Sequence, residues 1–167
     1  MTLSFSRIDT YMSCPLKYRF RYVDMIEPEK QHPALAFGSA VHGAIRHFYH
    51  QLASGRRMTP EELAQSFSED WEIACSVPIR WNGTTPEQLQ SQGRGIVRTY
   101  VESISEPVVP EAVEKEITVP VVNLETGEKL RGVEINGFLD RLNPGNVPVE
   151  LKTSSSSWNQ WKADSSL

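Results

Sequence analysis

The chain has 167 residues, enough for one domain with a sizeable core. Its hydrophobic fraction of 39% and charged fraction of 23% are typical of a globular protein in water, and its net charge of −4 excludes binding of nucleic acid through bulk positive charge. Cys14 and Cys75 are too few for a disulfide framework and favour a reducing compartment. The chain shows neither a signal-peptide pattern nor an apolar run long enough for a bilayer, so we expect no membrane partner and a cytoplasmic location.

The N-terminal residues predict two short helices. The first runs from Ser6, as N-cap, to Ser13, and Pro15 opens a second that continues to Val23. Cations and aromatic residues alternate along the second: Lys17, Tyr18, Arg19, Phe20, Arg21 and Tyr22. Such a run can follow a phosphate backbone and stack bases, or it can form an amphipathic helix with its aromatic side chains in the core.

Three longer helices follow, over residues 37–53, 59–75 and 85–105. The first has an apolar stripe at helical spacing, with His42 at its flank. The other two each begin with a capping box and a proline, at Thr59-Pro60 and at Thr85-Pro86. We interpret these two as an inserted helical layer. A flank histidine is commonly a half-buried helix residue, and Cys75 is interpreted as an ordinary helix cysteine.

The C-terminal part predicts three antiparallel strands over residues 113–122, 130–142 and 147–153. Asp140 lies near the end of the second, and Glu150 and Lys152 share a face of the third because strand side chains alternate. A three-residue loop over residues 144–146 would bring Asp140 opposite Glu150. Two carboxylates and an ammonium suit Mg²⁺ or Mn²⁺ beside a phosphate. The apolar neighbours predict that this hairpin is buried: Phe138, Leu139, Val147, Val149 and Leu151.

These residues resemble the PD-(D/E)XK nuclease superfamily, in which Asp, Glu-x-Lys form the active-site core. Within it, the RecB-like branch, including AddB-type and CRISPR-associated exonucleases, is similar in the Ser-x-Ser…Cys-Pro opening that ends at Cys14 and in the Gly-x-x-x-His of Gly38 and His42. The resemblance implies an α/β (α+β) fold with a restriction-endonuclease-like core, a mixed sheet with an antiparallel three-stranded meander flanked by helices. It also leads us to expect a C-terminally truncated core, since the chain stops about where a later helix would carry a glutamine.

The resemblance implies a metal-dependent DNA nuclease, with an exonuclease-like action on ends or single strands in repair, recombination or CRISPR adaptation. Asp140, Glu150 and Lys152 would be catalytic, and His42, Asp140, Glu150 and the Leu151 carbonyl would hold Mg²⁺ or Mn²⁺. Cys14 matches the first ligand of a [4Fe–4S] cluster whose other ligands would belong to a longer protein; the alternative is a buried structural thiol. DNA is the implied partner, with a helicase or a CRISPR integrase as a further one, and the DNA-contacting residues would be Lys17, Arg19, Arg21, Tyr18 and Tyr22.

We therefore expect one domain over residues 1–167 with four parts: N-terminal helices over 1–55, a helical insertion over 56–106, the catalytic meander over 107–153, and the start of an incomplete helix over 154–167. Two alternatives to the nuclease remain open at this point. One is a catalytically inactive DNA-binding or scaffolding subunit of a helicase–nuclease complex. The other is an α/β domain in which the three charged residues coincide by accident.

Overall fold

The computed structural model describes residues 1–81 and 83–154, so the expected helix start over 154–167 lies almost wholly outside the described residues. The described part forms α1 (Phe5–Ser13), α2 (Pro15–Tyr18), a π-helical turn (Arg19–Val23), α3 (Pro33–Ala53), α4 (Pro60–Ala74) and α5 (Pro86–Ser103). Its strands are β1 (Thr2–Ser4), β2 (Ala112–Val122), β3 (Lys129–Asn143) and β4 (Val147–Val149). None of the described helices is both long and apolar enough to cross a membrane.

Strand β3 is the centre of a four-stranded mixed sheet. It pairs antiparallel with β2 along one edge, while β1 (parallel) and β4 (antiparallel) pair with separate parts of β3 along the other. The predicted meander is therefore confirmed, and β1 is a fourth strand that the sequence interpretation missed. A three-residue strand carries too little periodicity to be recognised.

The buried core lies mainly among α3, α4 and α5 rather than under the sheet. Its largest fully buried side chains come from all three helices: Val41, Phe48, Leu63, Phe67 and Val97. Both predicted capping boxes are present, because the Thr59 and Thr85 side chains accept from the N–H groups of Glu62 and Gln88. The sheet reaches this core only near one end, where Val113, Leu142 and Leu151 lie against it or are buried.

Several local predictions are wrong. Helix α3 begins at Pro33 and not at residue 37, because the His32 side chain caps it and Pro33 opens it. The N-cap of α1 is Ser4, whose side chain accepts from the Arg7 N–H, and not Ser6. The β3–β4 hairpin is also less buried than its composition predicts, since Phe138 is 63% exposed and Val147 is 52% exposed. The apolar run was interpreted as a core hairpin, but the helices cover only the part of it around Leu139, Val149 and Leu151.

Candidate active site

Asp140 and His42 come together between β3 and α3. The Nδ1 atom of His42 lies 3.3 Å from Oδ1 of Asp140, although the residues are far apart in the chain. Their side chains are 35% and 31% exposed, so both are partly shielded and still open to a ligand. The sequence interpretation had proposed both as metal ligands, and the fold brings these two side chains into contact.

The spacing of Gly38 and His42 has a simple structural cause. A Cβ atom at Gly38 would lie 3.3 Å from Oγ1 of Thr153, so a larger side chain would press on the segment that follows β4. His42 lies one turn further along the same side of α3. The glycine therefore lets the segment after β4 approach the helix closely, and His42 contacts Asp140 nearby.

The predicted hairpin loop is present. Asn143 pairs with Val147, so residues 144–146 form the loop, and Gly145 and Asn146 have φ of 81° and 59°. The next pairs are Leu142 with Pro148 and Arg141 with Val149, where the ladder ends, one residue short of Asp140 and Glu150. The predicted loop and register are therefore confirmed over these three pairs, whereas the pairing of Asp140 with Glu150 stays a prediction.

Strand β4 ends at Val149, four residues earlier than the expected end at Thr153. The reason is visible at Leu151, whose backbone N–H donates to Oδ2 of Asp140 at 2.6 Å. A side-chain carboxylate thus takes the donor that would otherwise extend the ladder. Glu150 and Lys152 still lie side by side, with Nζ of Lys152 2.5 Å from Oε1 of Glu150. The structure brings those two together as one pair and Asp140 and His42 as another.

Glu114 is a further carboxylate beside the site. Val113 pairs with Arg141 and Lys115 with Leu139, so Glu114 lies opposite Asp140. It has φ of 50°, which is unusual for a residue other than glycine. Its Oε1 accepts from Nη1 of Arg46 at 2.8 Å. Glu114 lines the same pocket as His42 and Asp140.

The inner wall of the pocket is formed by two tyrosines and an arginine. The hydroxyl groups of Tyr49 and Tyr100 are 2.9 Å apart, and Cζ of Arg141 lies 4.0 Å from the centre of the Tyr49 ring. Burial, together with the hydrogen bond to Tyr49, raises the pKa of Tyr100 well above its usual range, so it remains a neutral phenol. Sequence analysis missed these three residues, because the apolar stripe of α3 gave Tyr49 only a core role.

The residues fit a hard divalent cation in their chemistry. His42 and Asp140 supply an imidazole and a carboxylate, and the backbone N–H of Leu151, the residue after Glu150, contacts Asp140. Over residues 1–81 and 83–154, no three His, Cys, Asp or Glu side chains are already arranged as a metal site. Mg²⁺ does not require such a set, because it keeps several waters and binds through one or two carboxylates plus substrate phosphates.

The N-terminal basic-aromatic segment is on the surface. Lys17, Arg19 and Arg21 are exposed, and Tyr18 and Tyr22 are partly buried, with their ring centres 5.2 Å apart. None of these side chains belongs to the buried core, so the amphipathic-core alternative is wrong. The buried-thiol alternative for Cys14 is also wrong, because Cys14 is exposed and its Sγ accepts from the Lys17 N–H as the N-cap of α2.

Mixed α/β architecture, with a carboxylate and a histidine meeting at the end of an antiparallel meander, defines a restriction-endonuclease-like fold. The model of the PD-(D/E)XK nuclease superfamily matches residues 2–166, and the chain belongs to that superfamily. Its members are generally metal-dependent nucleases and typically use divalent ions such as Mg²⁺. No curated protein and no solved structure matches the chain.

Proposed function

We propose that this chain is a metal-dependent deoxyribonuclease that hydrolyses phosphodiester bonds, with an exonuclease-like action on DNA ends or single strands. The observation that carries the proposal is the contact between His42 and Asp140 in a partly shielded pocket. The membership of the superfamily supports a nuclease, and the preference for DNA follows the resemblance to the RecB-like branch.

In this proposal Asp140, Glu150 and His42, with the carbonyl of Leu151, hold Mg²⁺ or Mn²⁺. Such an ion, when bound, would supply a water of lowered pKa and stabilisation of charge on the phosphate. Asp140 is oriented by the Leu151 N–H and by His42, and those contacts limit its rotation. Lys152 orients the attacking water and offsets the negative charge that develops in the transition state.

The basic-aromatic segment is proposed to guide DNA to this site. Lys17 and Arg21 are exposed, and Arg19 is exposed while its Nε donates to Asp24 at 3.1 Å. Tyr18 and Tyr22 form a contiguous aromatic pair beside them. Cations that neutralise phosphates next to rings that stack bases are the usual elements of a single-strand binding surface.

The cellular role is proposed from the resemblance alone. A RecB-like exonuclease would act in the cytoplasm in DNA repair, recombination or CRISPR adaptation, with a helicase or an integrase as partner. Cys14 would supply one ligand to a [4Fe–4S] cluster in a longer protein, and its exposed Sγ is compatible with that role. Iron and labile sulfide measured in a longer protein and in its Cys14→Ser variant would test this last point.

The test is digestion of end-labelled single- and double-stranded DNA with Mg²⁺, Mn²⁺ or EDTA. We expect metal-dependent cleavage that falls by about 100-fold or more in Lys152→Ala, as for removal of one group that stabilises transition-state charge. Lys129→Ala is the matched control, because Lys129 is an exposed lysine at the start of β3 and we expect wild-type cleavage from it. Equal cleavage by the Lys152→Ala variant would contradict the proposed role.

The alternative is a catalytically inactive DNA-binding or scaffolding subunit. The observation that favours it is the Glu150–Lys152 pair, which engages two of the proposed catalytic groups with one another instead of with Asp140. DNA retained in a gel shift, without cleavage under any metal condition, would support this alternative. A Glu150→Gln variant that also binds DNA as the wild type does would strengthen it further.

A further inference from the structure

Two guanidinium groups line the same pocket as His42 and Asp140, and the catalytic proposal uses neither of them. They belong to Arg46 of α3 and Arg141 of β3. Arg46 lies one turn beyond His42 on α3, and Arg141 directly follows Asp140. Each of the two proposed ligands therefore has an arginine as a near neighbour on its own element.

The side chain of Arg46 is positioned by Glu114, a residue of β2. Its Nη1 donates to Glu114 at 2.8 Å, and the two side chains are 44% and 48% exposed, so the pair sits at the open side of the pocket. That hydrogen bond uses one of the five N–H donors of a guanidinium. Glu114 lies opposite Asp140 on β2, whereas Glu150 and Lys152 follow β4 on the other edge of β3. Arg46 and Lys152 therefore belong to opposite flanks of Asp140.

Of the two arginines, Arg141 lies deeper in the pocket. Its guanidinium lies over the Tyr49 ring, which covers one face. Its Nε is buried and has no hydrogen-bond partner among the described residues. A buried donor without an acceptor is uncommon in a folded protein, so the described residues leave the hydrogen-bonding capacity of Arg141 incompletely used. Planar guanidinium groups match the oxygens of a phosphate particularly well.

We propose that Arg46 and Arg141 form a phosphate subsite that binds the DNA phosphate next to the scissile one, with Glu114 as the positioning residue for Arg46. This inference rests on the proposed nuclease function. The substrate strand then crosses β3 from the side of Lys152 to the side of Arg46. In the alternative, the Arg46–Glu114 pair has only a structural role and links α3 to β2.

The experiment measures binding of a fluorescein-labelled single-stranded oligonucleotide in EDTA, at a series of KCl concentrations. Each phosphate contact contributes about 0.7 to the slope of log K against log salt for single strands. We expect Arg46→Ala to lose about that much slope, whereas Arg46→Lys keeps the slope and binds more weakly. Arg56→Ala is the matched control with wild-type slope, because Arg56 is an exposed arginine of similar exposure whose partner, Glu62, lies away from the pocket.

The role of Arg141 is tested with the variant Arg141→Gln, and circular dichroism checks that this variant is folded. The variant Glu114→Gln tests the positioning role of Glu114 in the same assays. In steady-state cleavage we expect both variants and Arg46→Ala to raise KM several-fold with kcat changed less. A wild-type salt slope in Arg46→Ala overturns the subsite, whether or not the protein cleaves DNA. Binding without cleavage, together with the reduced slope, supports the subsite while the nuclease proposal fails. No DNA binding by the wild type overturns both.

Discussion

Both carboxylate oxygens of Asp140 contact other groups of the protein itself. Oδ2 accepts the Leu151 N–H at 2.6 Å, and Oδ1 lies 3.3 Å from His42. The first contact comes from the backbone of the residue whose carbonyl is proposed as a ligand. Orientation of Asp140 and the position of the Leu151 carbonyl are therefore coupled, and a change at either one should disturb the other. Such support from neighbouring groups is what a precise site requires.

Gly93 is required for the contact between α5 and α4. A Cβ atom there would lie 2.0 Å from Cζ of Phe67, a fully buried ring, whereas a Cβ at Gly95 meets nothing within 4 Å. We expect Gly93→Ala to reduce the free energy of unfolding by about 1–3 kcal/mol through overpacking. Gly95→Ala on the same helix should increase it by about 0.5–1 kcal/mol, because alanine favours helix. Urea unfolding of both variants measures this, and equal effects would refute the argument.

Asp70 should make the stability depend on pH. Burial raises the pKa of this carboxyl above its ordinary 3.8, although the charges of Arg46 and His47 act in the opposite direction. A raised pKa in the folded state means that the charged form disfavours folding and that this cost disappears as pH falls through the folded-state pKa. We expect Asp70→Asn to have a higher Tm than the wild type near pH 7.

The difference in Tm between Asp70→Asn and the wild type should shrink as the pH falls from the raised folded-state pKa of Asp70 toward its ordinary value of 3.8. Glu72→Gln is the control, since it removes an exposed carboxylate from the same helix. Thermal unfolding of the three proteins between neutral and acidic pH provides the comparison. A Tm difference that stays constant with pH would show that Asp70 acts through packing or hydrogen bonding and not through its charge.

At the scale of elements, the capping boxes determine where α4 and α5 begin. The backbone N–H of Gln88 donates to the Thr85 side chain at 3.2 Å, and the backbone N–H of Thr85 donates to Oε1 of Gln88 at 3.0 Å. We expect Thr85→Ala to reduce the free energy of unfolding by about 0.5–2 kcal/mol. Thr84→Ala, one residue before the cap, serves as the control. If chemical denaturation gives equal losses for the two variants, the cap is not the cause.

The elements also show what could be predicted from sequence. Helices α4 and α5 were predicted nearly correctly, because each start has a proline and a threonine cap. The hairpin register followed from the even spacing between Asp140 and Glu150 and from the turn residues. The early end of β4 was not predictable, because the Leu151 N–H bonds to a side chain and not to a neighbouring strand. Sequence periodicity does not reveal which acceptor a backbone donor will choose.

The same limit explains the missed residues of the pocket. Tyr49 and Tyr100 come from α3 and α5, and Arg141 comes from β3, so their contact depends on how three elements pack. Glu114 joins the pocket through its positive φ and its contact with Arg46, and the sequence reveals neither. The roles proposed for all the site residues, those of Asp140 and His42 included, remain predictions, as do the branch of the superfamily and the cellular pathway.

At the scale of the whole molecule, the core and the site occupy different places. The buried side chains lie among α3, α4 and α5, whereas the far halves of β2 and β3 are largely exposed. Asp140 lies at the junction, where the sheet meets α3. The helical layer thus serves as the rigid support, and the meander carries the proposed catalytic groups to its edge. This arrangement predicts that stability is unevenly distributed along the chain.

Hydrogen exchange should reveal that distribution. Amides protected by a buried core open only with global unfolding, while exposed strands open locally at lower free energy. We expect the slowest exchange in the central turns of α3, around Val41 to Phe48, and much faster exchange over residues 116–122 and 129–135. Amides from 139 to 143 should be intermediate, because Leu142 is buried at the junction. Mass spectrometry of peptides from the intact chain measures this pattern, and uniform protection across sheet and helices would contradict it, because the meander would then unfold only together with the core.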